Sequence, residues 1–201
     1  MDELRALEFG NFHGFRLNRF QKFIDFPETL SEELAKFLVS EIPKISDNSV
    51  KAAAISACAQ SKFYSFVFPF LVSLAKQNSA STPLVIGAVM NGLLRVSQRD
   101  DAKQIGELLL NNNVGPDRGL LVSHYAKLAK KSAIPTLLRC LTEPDTKIES
   151  LKALSMLGET SIQNELLDLS SSNNSYFRKV AREALERLKK KANKEDKKTS
   201  S

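Results

Sequence analysis

Apolar residues return along this chain every three or four positions, in long segments separated by short breaks of proline, glycine and polar residues. Residues 62–77 carry the fullest example. Phe63, Phe66, Val67, Phe70, Leu71 and Leu74 stand at i, i+3, i+4, i+7, i+8 and i+11, the register of one helix face. Tyr64, Phe68 and Val72 fall on an adjoining stripe. The aromatics of Phe63 to Phe70 would also suit a strand, but the sustained 3.6-residue period favours a helix, which Pro69 is expected to kink or shorten. The same period predicts helices from Leu17 to Phe26, from about Thr29 to Ile42, from Asn48 to Ala59, from Pro83 to Val96, from Asp100 to about Leu110 and, after the loop at 111–117, a separate one to about Lys130. It then predicts a short helix through Ile134, Leu137, Leu138 and Leu141, one ending at Leu157, and a final one from Asn174 to Leu188. No segment alternates with period two, so the predicted fold class is all-α, without strands.

Punctuation agrees with this division. Thr29-Leu-Ser-Glu32 and Thr160-Ser-Ile-Gln163 have the spacing of capping boxes, in which the first hydroxyl and the fourth side chain satisfy each other's helix-end amides. Pro83 suits a first helical position and Gly158 the left-handed position after a helix. Asn111-Asn-Asn-Val-Gly-Pro-Asp117 is the clearest loop, and Ser170 to Ser175 reads as a surface turn.

One pattern recurs. In the last segment, Asn174 can cap, Phe177, Ala181, Ala184, Leu185 and Leu188 line one side, and Arg178, Lys179, Arg182 and Glu186 lie largely opposite. Asp47-Asn-Ser-Val50-Lys51 with Ala54 and Ala57 matches it at an offset of 127 residues, and Asp145-Thr-Lys147 with Ser150, Ala153 and Leu154 matches it 31 residues before the last copy. Segments opening at Thr82-Pro83 and Pro116-Asp117 stand near the places that steps of about 32 residues would fill. Five copies at this spacing predict a repeat array.

These residues, most specifically Asp47 to Ala57 and Phe177 to Leu185, resemble the HEAT-repeat family, and its short variants such as those of phycobilin lyases more than the long eukaryotic ones. The resemblance covers about residues 47–188. It implies a right-handed α-solenoid of about five antiparallel helix pairs, with the second helix of each pair lining the concave side. It implies no chemistry by itself. The expected organisation is an N-terminal helical cap over 1–46, the array over 47–188 and a disordered basic tail over 189–201. Six of the twelve phenylalanines, Phe9, Phe12, Phe15, Phe20, Phe23 and Phe26, crowd the N-terminal segment. They are expected to cover the exposed end of the array, the alternative being a docking element for a partner.

Charge narrows the function classes. The formal net charge is +6, but residues 189–201 hold six lysines against two acids and so carry four of those charges. The body is therefore close to neutral, whereas a groove that follows a phosphate backbone should itself be basic. The chain also has no tryptophan to stack on a base. No run approaches the ~18 apolar residues of a membrane span, and the N-terminus lacks the basic-then-apolar order of a secretory signal, so a cytoplasmic protein is expected. Cys58 and Cys140 stand far apart on helical patterns and are expected to be buried, reduced packing residues.

Catalysis should leave a nucleophile with its base, paired acids or metal ligands, and no such constellation is found. His13 and His124 are the two histidines, which makes a metal site improbable. Asp100 and Asp101 suit a helix start better than proton sharing. No glycine-rich phosphate loop is present. The expected function is a non-catalytic protein-protein interaction scaffold without cofactor. The alternatives are a nucleic-acid-binding protein similar to the HEAT-like alkylpurine DNA glycosylases, or a phycobilin-lyase-like subunit. The partner-binding residues expected on the second helices, beside their apolar stripes, are Tyr64 and Phe68, Lys103 and Glu107, and Thr136 and Arg139. For Tyr64 and Phe68 the competing assignment is core packing.

Overall fold

In a computed structural model, which describes residues 20–77 and 82–199, ten α-helices form and no strand does among the described residues. They are α1 (Glu32–Glu41), α2 (Asn48–Cys58), α3 (Tyr64–Lys76), α4 (Pro83–Val96), α5 (Ala102–Leu110), α6 (Gly119–Ala129), α7 (Ile134–Arg139), α8 (Pro144–Leu157), α9 (Gln163–Ser170) and α10 (Ser175–Thr199). Residues 20–25 are also helical. None of these helices is long and apolar enough to cross a membrane. Phe9, Phe12, Phe15 and His13 lie outside the described residues. Of the remaining clustered phenylalanines, Phe20 and Phe23 are buried, while Phe26 is exposed.

Side-chain caps set several of the starts. Asp47 Oδ1 accepts from the amides of Ser49 (2.9 Å) and Val50 (3.0 Å) at the head of α2. Asn174 Oδ1 accepts from Tyr176 (2.9 Å) and Phe177 (3.4 Å) at the head of α10. The two ends of the proposed repeat thus share one capping geometry, on the second and third residues after the cap. Pro83 opens α4 and Gly158 closes α8 at φ 86°, both as the sequence predicts.

The two capping boxes do not form. Thr29 closes a 3-10 turn and donates to the Phe26 carbonyl, and Ser31 caps α1 instead by accepting from the Leu34 amide. At 160–163 the Glu159 carboxylate accepts from the Ser161 amide, Ile162 is buried, and α9 begins at Gln163 with no side-chain cap. The anchoring of Ile162 moves the helix start past Thr160. Pro69 neither ends nor shortens α3, which runs unbroken from Tyr64 to Lys76. Its missing N–H frees the carbonyl of Ser65, which is exposed, so water can take that bond.

The chain forms two compact units. The first comprises residues up to Gln98 with Asn113–Asp117. In it α1 lies on α2, and α4 packs against both α2 and α3. The approach at Gly92 is close: a Cβ there would stand 2.9 Å from Leu71 Cδ1 and 3.2 Å from Ala59 Cβ. The buried arc of α3 is Val67, Phe68, Leu71, Val72 and Ala75, whereas Phe66, Phe70 and Leu74 of the expected stripe are only half-buried. A helix with apolar residues over so wide an arc is oriented by its neighbours, here α1 and α4, and the periodicity alone does not choose among its apolar faces. Cys58 is buried, and its thiol is pushed up to about 12 by that burial, which keeps it protonated at neutral pH.

The second unit comprises Arg99–Asn112 and residues from Arg118 onward. Here α6 packs on α5 and α8, and α10 on α8 and α9. Val180, Ala181, Ala184 and Leu188 form the buried side of α10. This helix continues through Thr199, across the segment for which a disordered tail is expected from the sequence. Nothing in Lys189 to Thr199 breaks a helix, since lysine, alanine and glutamate are all good helix formers, and Lys191 donates back to the Met156 carbonyl. Ending the chain at Leu188 should lower the melting temperature by no more than about 4 °C, the equivalent of losing one hydrogen bond in a protein of this size. A thermal scan by circular dichroism checks this; a drop beyond about 10 °C would show that the lysine-rich end is part of the fold.

Candidate functional site

The six residues expected at a binding face do not share one surface role. Phe68 is 3% exposed and its ring stacks on that of half-buried Tyr64, with centroids 5.6 Å apart. A partner cannot reach a ring so covered, so Phe68 is a core residue of the first unit and the packing alternative describes it. Lys103 and Glu107 are exposed on α5 of the second unit. Thr136 is half-buried, and its hydroxyl oxygen accepts from Tyr125 Oη at 3.1 Å. Arg139, exposed at the end of α7, does line a cavity.

That cavity lies within the second unit and measures about 250 Å³. Leu109 and Leu110 at the end of α5 form its apolar wall. Asn112, Arg139, Cys140, Thr142 and Glu143 supply the rest. Asn112 belongs to the 3-10 turn after α5, Cys140 and Thr142 to the 3-10 turn that extends α7, and Glu143 is the residue before α8.

Two of these lining residues are held by a third group that the sequence reading missed. Arg118 is 2% exposed. Its Nη1 donates to Asn112 Oδ1 at 2.5 Å, its Nη2 meets Glu143 Oε2 at 3.5 Å, and its Nε is buried without a partner. A guanidinium has five N–H donors, so two acceptors leave it under-satisfied behind Asn112 and Glu143, outside the cavity lining itself. The Glu143 side chain is 40% exposed, so it neutralises Arg118 only in part. A sequence signal existed. Arg118, Leu121, Val122 and Tyr125 stand at i, i+3, i+4 and i+7 and are all buried, so an arginine occupies the apolar stripe of α6.

The thiol of Cys140 is not set up as a nucleophile. Burial pushes its pKa up, and Arg118, the hydroxyls of Thr146 and Ser150, and Arg139 only partly oppose that shift. His124 is half-buried on α6, and its pKa is lowered by that burial and by nearby Lys127, so it is neutral at pH 7.

A second feature of this unit is an outward cluster on α8 and α10. Tyr176, 49% exposed, receives a hydrogen bond at 2.7 Å from Lys152, whose Nζ also lies 5.1 Å from the ring centroid. Glu149 holds the same Nζ at 2.6 Å. Burial alone would lower the pKa of Lys152, but its bonds to Glu149 and Tyr176 outweigh that and raise it, so it stays charged. Met156, one turn further along α8, is 42% exposed.

Comparison with protein families, with curated proteins and with solved structures finds no match to this chain.

Proposed function

We propose that this chain is a non-catalytic scaffold that binds another protein, built as a HEAT-like solenoid of antiparallel helix pairs. The repeat reading is supported by packing within each unit. The first helices of successive pairs lie against each other, α2 on α4 in one unit, and α6 on α8 and α8 on α10 in the other. This is the neighbour-to-neighbour contact on which a stack of repeats depends. The shared capping geometry of Asp47 and Asn174 supports it further.

The observation that carries the binding function is the cluster of Lys152, Met156 and Tyr176. Tyrosine and methionine are enriched at interfaces, and Tyr176 is already oriented by Lys152, which reduces the entropy that ordering its side chain on binding would cost. The binding face therefore lies on the outward sides of α8 and α10, in place of the row expected on the second helices. The test compares the native chain with a double variant, Tyr176→Ala and Met156→Ser, as baits in extract of the native host. Both side chains are exposed to nearly half of their area, so the variant should keep the native helical spectrum. It should lose the proteins that the native chain retains over an unrelated helical control. Equal retention by both baits would place binding elsewhere, and no retention over the control would defeat the scaffold reading.

A further inference from the structure

We infer that the partner of the face on α8 and α10 is an acidic protein segment, which sets an apolar residue against Met156 and Tyr176 and runs its carboxylates along the exposed side of α10. The inference rests on the reading of that face as a binding surface and adds the chemistry of what it binds.

Two observations lead to it. The first is at the cluster itself. The Tyr176 oxygen accepts from Lys152, which leaves its own O–H to donate, and Tyr176 is exposed, so an acceptor from outside can take up that proton. The second is the register along α10. From Tyr176, Lys179, Glu183, Arg187 and Lys190 follow at i+3, i+7, i+11 and i+14, all exposed and all on one stripe of the helix. Lys194 and Lys197 take the next places, at i+18 and i+21. Val180, Ala181, Ala184 and Leu188 are the buried side. Glu183 is already engaged by Arg187 at 3.5 Å, as Glu149 is by Lys152 at 2.6 Å, whereas Lys179 and Lys190 pair with no acid among the described residues. Arg182 and Glu186, exposed at the edge of the stripe, offset each other.

What the face offers outward is therefore an apolar end at Met156 and Tyr176, a phenol donor, and unpaired ammonium groups spread along the helix. At ~1.5 Å per residue, Tyr176 and Lys190 stand ~21 Å apart, a span that a small acid cannot cover and that about seven extended residues, or about four turns of a helix, can. The complementary partner is a chain segment with negative charge along its length, and complementarity of this kind sets partner choice and association rate. A nucleic acid fits less well. Its phosphates are held by successive cations, but here Glu149 and Glu183 occupy Lys152 and Arg187, and Met156 gives a phosphate nothing to contact.

The experiment titrates the full chain, at an ionic strength of ~150 mM, with three probes: a short peptide blocked at both ends in which one leucine precedes four glutamates spaced a helical turn apart, its counterpart with glutamine at those four places, and a short DNA duplex. The backbone amide resonances of α10 are followed by NMR. The acidic peptide should shift those of Tyr176, Lys179 and Lys190 saturably, and the glutamine peptide should bind about tenfold more weakly, the loss expected of about two exposed charge pairs. Lys179→Glu combined with Lys190→Glu, both at exposed positions, should weaken the acidic peptide by at least about tenfold, because attraction becomes repulsion. The inference is overturned if the acidic peptide moves none of these resonances, if the glutamine peptide binds equally well, if the duplex binds more tightly than the acidic peptide, or if the charge reversal changes nothing. The extract comparison separates this failure from that of the scaffold reading. Proteins lost by Tyr176→Ala with Met156→Ser but kept by the charge-reversed chain would leave the scaffold standing and defeat the acidic partner.

Discussion

Phe68→Ala is expected to destabilise the protein by about 3–5 kcal/mol, measured by urea denaturation. The side chain is 3% exposed and sits in the buried arc of α3 with Val67, Leu71 and Val72. Truncation would remove its burial, leave a cavity among close-packed neighbours, and undo the stack with Tyr64, a contact worth about 0.5–1.5 kcal/mol beyond its area. Against a total stability of about 5–15 kcal/mol this is a large share. The same substitution also separates the two assignments that the sequence leaves open. A surface hot spot would lose affinity and keep its fold, whereas a core aromatic loses fold. A measured cost below about 1 kcal/mol would mean that Phe68 is not packed as described.

What the sequence made legible were features written in local chemistry. Asp47, Pro83, Gly158 and Asn174 act at the ends where they are expected, because a cap depends on a few adjacent residues. What it did not make legible depended on neighbours far along the chain. The choice between the stripe of Phe66, Phe70 and Leu74 and that of Phe68 and Val72 is made by the helices on either side of α3, which no single-helix periodicity contains. Thr160 has the right partner at the right spacing, but the buried side chain of Ile162 sets where α9 starts. The length of α10 is not legible for another reason: low hydrophobicity points to disorder, while the lysines, alanine and glutamate of Lys189 to Thr199 extend a helix already nucleated and packed through Leu188. Arg118 escaped notice because hydrophobic periodicity passes over a charged residue even when it occupies a buried register. Of the residues lining the cavity, Arg139 alone is expected at a binding face from the sequence, and Cys140 is expected only as buried packing.

Gly119→Ala and Gly87→Ala should move stability in opposite directions. Alanine is intrinsically better than glycine inside a helix by about 0.5–1 kcal/mol. At Gly87, in the second turn of α4, an added Cβ meets nothing within 4 Å, so that preference should appear as a gain. Gly119 is the first residue of α6, where the helical preference counts for less, and a Cβ there would stand 2.6 Å from the Asp145 carbonyl oxygen. The obstacle is backbone at the head of α8, not the flexible end of a side chain, so relief requires α6 and α8 to separate. Both helices are packed along their buried faces, and forcing such elements apart typically costs about 1–3 kcal/mol. The clash therefore outweighs the propensity. It also lies next to Arg118, so Gly119→Ala should perturb the Nε–H resonance of that arginine as well as the urea midpoint, while Gly87→Ala leaves the resonance in place. Stabilisation by both substitutions would show that α6 and α8 do not approach as closely at Gly119 as the geometry requires.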